Sequence, residues 1–314
     1  MILVTGASGR LGKSLALSLL AYGEKVRILV DKKNPNIDGV ETVDGNLLDT
    51  DSLKRAVEKI DTVYHLAAIV DYSSVNKQLM YDVNVTGTKN ILSVSKASRF
   101  IYMSSTSVYG NKMLENPATP ATKCNPSTYY GKTKMLAEKL VFDAGGIVVR
   151  APVIFGNGFN GPFIDLMQRL ESKSMPIIGN GQNRLQWVHI DDLIDALELA
   201  MKKGERGRAY IIAGKEVVTQ LQLYSMISNA MGIAPPAKHV PSYLVYALAY
   251  CQKMKSMITK AEPKIKLEYL RRIASDRTFD ISMATSDLGF NPKMGYAKWI
   301  NDLSKEYKSS KRGV

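Results

Sequence analysis

Ile2-Leu3-Val4-Thr5-Gly6-Ala7-Ser8-Gly9-Arg10-Leu11-Gly12 reads as an apolar strand that breaks into a glycine turn and continues as a helix. The glycines are spaced Gly-x-x-Gly-x-x-Gly. Gly6 permits the tight turn, Gly9 lets backbone approach a pyrophosphate, and Gly12 lets the helix lie against its strand. The N–H groups and positive dipole end of a helix starting at Arg10 favour phosphate. A glycine triplet alone is a weak signal, because such turns recur in loops. Its place between an apolar strand and the apolar helix Leu11–Leu20 makes it a dinucleotide site, with Gly6, Ser8, Gly9, Arg10, Leu11 and Gly12 at the phosphates. The strand begins almost at the first residue, so no targeting segment is expected before it.

The alternation continues downstream. Strands are expected at Met1–Val4, Lys25–Val30, Glu41–Val43, Thr62–His65, Arg99–Met103 and Gly146–Arg150, and helices at Leu11–Tyr22, Asp51–Lys59, Val85–Ala97 and Thr128–Phe142. This alternation predicts an α/β fold, a Rossmann-type doubly wound parallel sheet with right-handed crossovers. After Arg150 the pattern changes to a loop-rich stretch between Pro152 and Gly181, a strand–helix pair at Gln186–Met201, a strand at Ala209–Ala213 and a mostly helical remainder. Residues 1–150 are therefore read as the cofactor domain. Residues 151–314 are read as a smaller substrate-binding part, interleaved with the first around 186–213.

The 314 residues suffice for this arrangement, and 45% hydrophobic with 23% charged residues is ordinary for a soluble globular protein. The longest apolar run, Leu244–Tyr250, is too short to span a bilayer. Cys124 and Cys251 lack metal-ligand spacing, so no metal is expected, and so few cysteines suit a reducing, cytoplasmic setting. The formal charge of +13 is read as a basic soluble surface that attracts anionic cofactors, since no nucleic-acid recognition module accompanies it.

Tyr130-Gly131-Lys132-Thr133-Lys134 places Tyr130 and Lys134 four apart on one helix face, which Tyr129 does not share with a lysine. A free tyrosine titrates near 10. An ammonium about 4 Å away contributes about 4 kcal/mol at an effective dielectric near 20, up to about three pKa units, enough to make the phenol a proton carrier. Met103-Ser104-Ser105-Thr106-Ser107-Val108-Tyr109-Gly110 follows an apolar strand, so its hydroxyls emerge at the carboxyl end of the sheet, where such folds bind ligands. Asp31 ends the second strand about twenty residues after the glycine turn, placed to accept from the adenosine ribose hydroxyls. It favours NAD. Lys32 and Lys33 follow at once and keep NADP open as an alternative.

Thr5–Gly12, Ser104–Gly110 and Tyr130–Lys134, in this order, resemble the extended short-chain dehydrogenase/reductase family. Asp61–Ala68, Asn84-Val85-Thr86-Gly87-Thr88, Arg150-Ala151-Pro152 and Val188–Asp192 extend the resemblance over nearly the whole chain. It implies that Ser105 polarises the substrate oxygen, Tyr130 exchanges the proton, and Lys134 lowers the tyrosine pKa and holds the nicotinamide ribose. It also implies that Leu66, Ala67 and Ala68 pass beside the cofactor, that Asn84 supports it, and that Leu47 and Pro152 contact it. Asn46 stands where the family often has an aspartate facing adenine, and its amide is expected to accept from the adenine amino group. A homodimer through the helices beginning near Val85 and Thr128 is a further implication.

Two enzyme readings share such a site: a dehydrogenase or reductase of secondary alcohols and ketones, and a nucleotide-sugar epimerase or dehydratase. Members of the second kind usually carry an asparagine at Val153 and an arginine at Leu185, although Arg184 is adjacent and could substitute. The segments Ile178–Asn183, Trp187–Asp192, Arg277–Ser282 and Leu288–Pro292 resemble the 3β-hydroxysteroid dehydrogenase and dihydroflavonol reductase branch. The long helical stretch from Pro235 to Arg277 resembles that branch too, and in it Tyr243, Leu244, Tyr246, Met254 and Met257 form an apolar stripe, read either as a lid over a greasy small-molecule substrate or as core packing. Lys253, Lys255 and Lys260 beside it would also permit membrane-surface contact, the lesser reading. A nucleotide-binding regulator without chemistry is the third class, disfavoured by the intact Ser105, Tyr130 and Lys134.

Overall fold

The first strand decides where everything else sits. β1 (Ile2–Thr5) pairs in parallel with β2 (Val26–Val30) on one side and with β4 (Thr62–His65) on the other. β3 (Glu41–Asp44) extends the sheet beyond β2, while β5 (Arg99–Ser105), β6 (Ile147–Ala151) and β7 (Ala209–Ile211) extend it beyond β4. The resulting order is β7-β6-β5-β4-β1-β2-β3, all parallel, and the chain reverses its direction of growth between β1 and β4. Ligands bind at such a reversal, outside the carboxyl ends of the strands. The coordinates are a computed structural model that describes residues 1–70, 76–245, 247, 250, 251, 254 and 274–312.

Both faces of the sheet are covered, so its strands are buried runs rather than alternating ones. Ile2 and Val4 of β1 face one core with α1 (Arg10–Ala21) and α7 (Ile190–Lys203), through Leu15, Leu19, Leu193 and Leu197. Leu3 faces the other with α2 (Thr50–Ala56), α4 (Gly87–Val94) and α5 (Tyr129–Asp143), through Leu53, Ile91, Ala137 and Val141. A separate aromatic-rich core joins α6 (Gly161–Glu171), α8 (Gln220–Met231) and α9 (Tyr296–Arg312) around Phe155, Phe163, Tyr296 and Trp299. At the glycine turn, a Cβ on Gly12 would lie 2.3 Å from the carbonyl oxygen of Gly6, so only glycine lets α1 rest on β1.

Two expected helices have different limits. The segment expected over Asp51–Lys59 stops at Ala56, because buried Arg27 of β2 donates Nη1 to the carbonyls of Ala56 (3.0 Å) and Glu58 (2.7 Å). A cation drawn from another strand thus caps the helix end. The helix expected over Val85–Ala97 instead begins as α3 (Lys77–Tyr81), capped by the Asn76 side chain on the Leu79 N–H. It widens into a π-type turn at Asp82–Thr86, continues as α4 and ends at Val94. Among the described residues no helix is long and apolar enough to cross a membrane.

Candidate active site

One cavity of about 530 Å³ opens at the reversal point of the sheet. Gly6, Gly9, Arg10, Leu11 and Gly12 line it, together with Leu66, Ala68, Ser104, Ser105, Tyr130, Lys134 and Pro152. The phosphate turn, the serine segment and the Tyr–Lys helix, far apart in the chain, therefore share one wall. No side chain caps the start of α1 at Gly9, so its first N–H groups are left for a ligand. Such a glycine cradle fits the diphosphate of a dinucleotide.

The catalytic candidates are held by their own elements. Ser105 ends β5, where its hydroxyl accepts from the Ser107 N–H at 3.1 Å and donates to Ser107 Oγ at 3.0 Å. Thr128 caps α5 by accepting from the Gly131 N–H at 3.0 Å. A Cβ at Gly131 would stand 2.5 Å from the Ser107 carbonyl, so the helix presses directly on the serine turn. Lys134 is buried, with Nζ donating to the Met103 carbonyl at 2.7 Å and lying 4.6 Å from the centre of the Tyr102 ring. Desolvation lowers Lys134 to about 7, opposed by the charge of Glu138. The cation expected to acidify the phenol is itself poised to exchange its proton near neutral pH.

A second set of residues, of which only Asn84 is singled out by the sequence, ties the cofactor wall to this helix. The Thr88 hydroxyl donates to the Asn84 carbonyl at 2.7 Å, so it accepts from His65 Nε2 at 2.9 Å. The Thr5 hydroxyl then donates to His65 Nδ1 at 2.8 Å while accepting from the Ala67 N–H at 3.3 Å. This direction of protons requires the neutral Nε2–H tautomer of His65. Asn84, in the π-type turn, accepts from the Ile69 N–H (2.8 Å) and donates to the Ile69 carbonyl (3.0 Å) and to Thr133 Oγ (3.0 Å). The Thr133 hydroxyl donates on to the Tyr130 carbonyl at 2.8 Å. Asn84 thus braces the wall from behind rather than lining the cavity. Its signal in the sequence was visible, but its partners were not.

Burial depresses His65 to about 3, against an ordinary value of 6.5, with Lys134 adding in the same direction. Between those values the unfolded chain binds more protons than the folded one, so stability is full above pH 6.5 and falls as the pH drops toward 3. The shift corresponds to roughly 4–5 kcal/mol. We expect His65→Gln to be less stable than the parent at pH 7 in urea, with the difference shrinking steadily toward pH 4. A constant difference across that range would remove His65 from acid unfolding.

Other expected residues sit apart from the cavity. Asp31 and Lys32 are exposed at the end of β2, and Ser8 is exposed at the turn. Leu47 is buried away from the cavity, its side chain 2.8 Å from where a Cβ on Gly87 would stand. Asn46 differs from its expected role: its amide donates to Asp31 Oδ1 at 3.1 Å and its carbonyl accepts from the Leu48 N–H at 2.8 Å. It orients Asp31 instead of turning its carbonyl to adenine. Arg184 is half exposed and paired with Asp276 at 3.4 Å, so it does not replace the arginine missing at Leu185, which lines the cavity.

The apolar stripe is also corrected. Tyr243 (68%), Leu244 (50%) and Met254 (45%) are exposed and do not line the cavity, so they neither cover it nor pack into a core. Tyr246 and Met257, like Lys253, Lys255 and Lys260, lie outside the described residues. Instead Phe163 and Leu166 of α6, Leu223 and Tyr224 of α8, Trp187 and Phe279 enclose the far half. No cluster of metal-ligating side chains occurs among the described residues.

Residues 2–213 match the family described as NAD dependent epimerase/dehydratase. The chain belongs to that family. Sterol demethylase protein B of Methylococcus capsulatus is 27% identical, with 92% of this chain and 93% of that protein aligned. The 3 beta-hydroxysteroid dehydrogenase/Delta 5-->4-isomerase of Mycobacterium tuberculosis is 28% identical over 93% of this chain and 86% of its own length. Among solved structures, UDP-glucuronic acid 4-epimerase from Bacillus cereus, in complex with NAD, superimposes with a TM-score of 0.76 at 22% identity, covering 98% of this chain and 99% of that one. This last likeness shows the fold. Membership makes the chain an NAD-dependent enzyme of the extended short-chain type, a group whose members include dehydrogenases, epimerases and dehydratases.

Proposed function

We propose that the protein is an NAD-preferring dehydrogenase or reductase that interconverts a secondary alcohol and a ketone on an apolar small molecule of steroid-like size. The observation that carries this reading is the composition of the cavity at the reversal point of the sheet. Its near half joins the glycine turn to Ser105, Tyr130 and Lys134, and its far half is walled by Phe159, Phe163, Leu166, Trp187, Leu223 and Phe279. The polar side chains in that far half are engaged with the protein. Gln186 donates to the Gly214 carbonyl and accepts from the Phe279 N–H, both at 2.7 Å. Gln220 accepts from the Ile178 N–H and donates to Tyr224, and Arg277 donates to the carbonyls of Gly110 (2.6 Å) and Thr106 (3.1 Å). With those polar groups engaged by the protein, the aromatic and aliphatic wall, with Val153 and Leu185, supplies apolar contact where a sugar nucleotide needs cations and donors for its diphosphate.

In this reading the turn Gly6–Gly12 holds the diphosphate, Asp31 the adenosine ribose and Lys134 the nicotinamide ribose. A nicotinamide held there would supply the hydride chemistry at the carbinol carbon. Ser105 turns its hydroxyl proton from Ser107 Oγ to the substrate oxygen, and the Tyr130 phenol gives or takes that oxygen's proton. Lys134 favours the phenolate by its charge. A cytoplasmic location and a homodimer through α4 and α5 complete the reading; Leu79 and Tyr81, exposed on the preceding α3, support such a contact.

The test is turnover, followed by nicotinamide absorbance for the alcohols and by chromatography of the products for the nucleotide sugars, whose conversion returns the hydride and leaves no net NADH. With NAD we expect oxidation of 3β-hydroxysteroids and bulky secondary alcohols, and no conversion of UDP-glucuronate or dTDP-glucose. Conversion of a nucleotide sugar, with alcohols inert, would overturn the reading. Asp31→Ala should reduce the NAD-over-NADP ratio of kcat/KM at least about tenfold, since a carboxylate that accepts two ribose hydroxyls and repels a phosphate is removed. An unchanged ratio would take cofactor choice away from Asp31.

A further inference from the structure

Tyr130 and Lys134 are followed at the same interval on α5 by Glu138, and all three side chains are buried. Glu138 receives a two-pronged contact from Arg150 of β6, Nε to Oε1 at 3.0 Å and Nη2 to Oε2 at 2.8 Å. Arg150 Nη1 also donates to the Tyr109 hydroxyl and to the Pro120 carbonyl, each at 2.8 Å, and Tyr109 donates on to the Thr119 carbonyl at 2.9 Å. Arg150 is in register with Ser104, one residue past the Met103 carbonyl that holds Lys134. The pair therefore touches the helix of Tyr130 and the turn behind Ser105 at once. Stability is a poor reason for it, because well-packed neutral residues of similar volume often serve as well as a buried ion pair. What neutral residues cannot do is place a charge one helical turn from Lys134.

We propose that Glu138 and Arg150 are positioning residues whose opposed charges govern the charge on Lys134, Glu138 favouring the ammonium and Arg150 limiting that influence. Their bearing on catalysis rests on the proton-transfer reading given above. The other titratable groups around Lys134 are Tyr130 on its own helix, Tyr102 on β5 and His65 on β4, with Tyr109 and Cys124 beside the ion pair. His65 is held neutral by its two hydroxyl partners, and burial keeps the Tyr102 phenol protonated. The carboxylate of Glu138 is the charge that opposes desolvation at Lys134.

The experiment follows the Lys134 resonance in protein labelled with 13Cε-lysine, assigned by its loss in Lys134→Arg, as the pH is raised. Glu138→Gln, which leaves Arg150 uncompensated, should lower the Lys134 midpoint by about one unit. Arg150→Met, which leaves Glu138 uncompensated, should raise it by a similar amount. The neutral double variant should return it close to the parent. Either single variant is sufficient if the other folds too poorly to titrate. A merely structural pair would lower stability and leave the midpoint unmoved, and that result would overturn the proposal. Because this readout needs no turnover, absence of dehydrogenase activity would sink the functional reading while leaving the electrostatic one open to confirmation. Where activity is present, the pH limb of kcat/KM should move with the resonance.

Discussion

Tyr130→Phe is expected to lower kcat/KM at least about a thousandfold while NAD affinity changes only a few-fold. The substitution removes one oxygen and leaves the ring, which lines the cavity beside Lys134, in place. Ser105 and the glycine turn are untouched, so the cofactor cradle and the polarising hydroxyl persist. In the proposed function, what is lost is the group that carries the proton while the hydride moves. Without it, charge developing on the substrate oxygen has only a serine hydrogen bond to stabilise it. Steady-state rates with a responsive alcohol, paired with NADH fluorescence titration, separate the two effects. A variant keeping more than about a tenth of parental activity would remove Tyr130 from the mechanism, as would equal losses in rate and in cofactor affinity.

The second large effect is expected at Gly12. Alanine is the better helix former by about 1 kcal/mol, so local propensity alone predicts a gain from Gly12→Ala. Tertiary contact reverses the sign. The added Cβ would meet the Gly6 carbonyl oxygen at 2.3 Å and the Ala7 Cα at 2.9 Å, and both belong to backbone that cannot swing aside. Forcing atoms into such a space costs about 1–3 kcal/mol or more, and here relief comes only by lifting the start of α1 off β1. That movement displaces the N–H groups that would face the diphosphate. We expect the melting temperature to fall by several degrees and NAD affinity by at least about tenfold. Lys13→Ala, exposed on the same turn, is the control and should change little. A Gly12→Ala protein as stable as its parent, with unaltered NAD binding, would contradict the close packing.

The legible features were those encoded by neighbours in the chain. The glycine turn, the Tyr130–Lys134 spacing and the alternation of strand and helix depend on contacts within a turn or two, so their residues announce them. The place of Asp31 at the end of β2 was readable because its distance from the turn is imposed by one helix and one strand. Features decided by a distant partner were misjudged or missed. The end of α2 depends on Arg27 reaching across from β2. The orientation of Asn46 depends on Asp31 and Leu48, and the fate of Arg184 on Asp276. His65, Thr88 and Thr133 look like ordinary polar residues until the sheet and two helices bring them into one hydrogen-bonded chain.

Sequence by itself determined the sheet class, and it singled out the glycine turn and the Ser105, Tyr130 and Lys134 candidates that the fold gathers at one cavity, because each is a periodic or short-range pattern that survives in one dimension. Tertiary structure alone decided which residues wall the substrate half of the cavity, that Asn84 braces rather than lines it, and that an ion pair from β6 and α5 stands behind Lys134. Those outcomes turn on burial and on the direction of individual hydrogen bonds, and both exist only once segments far apart in the chain exclude water from one another.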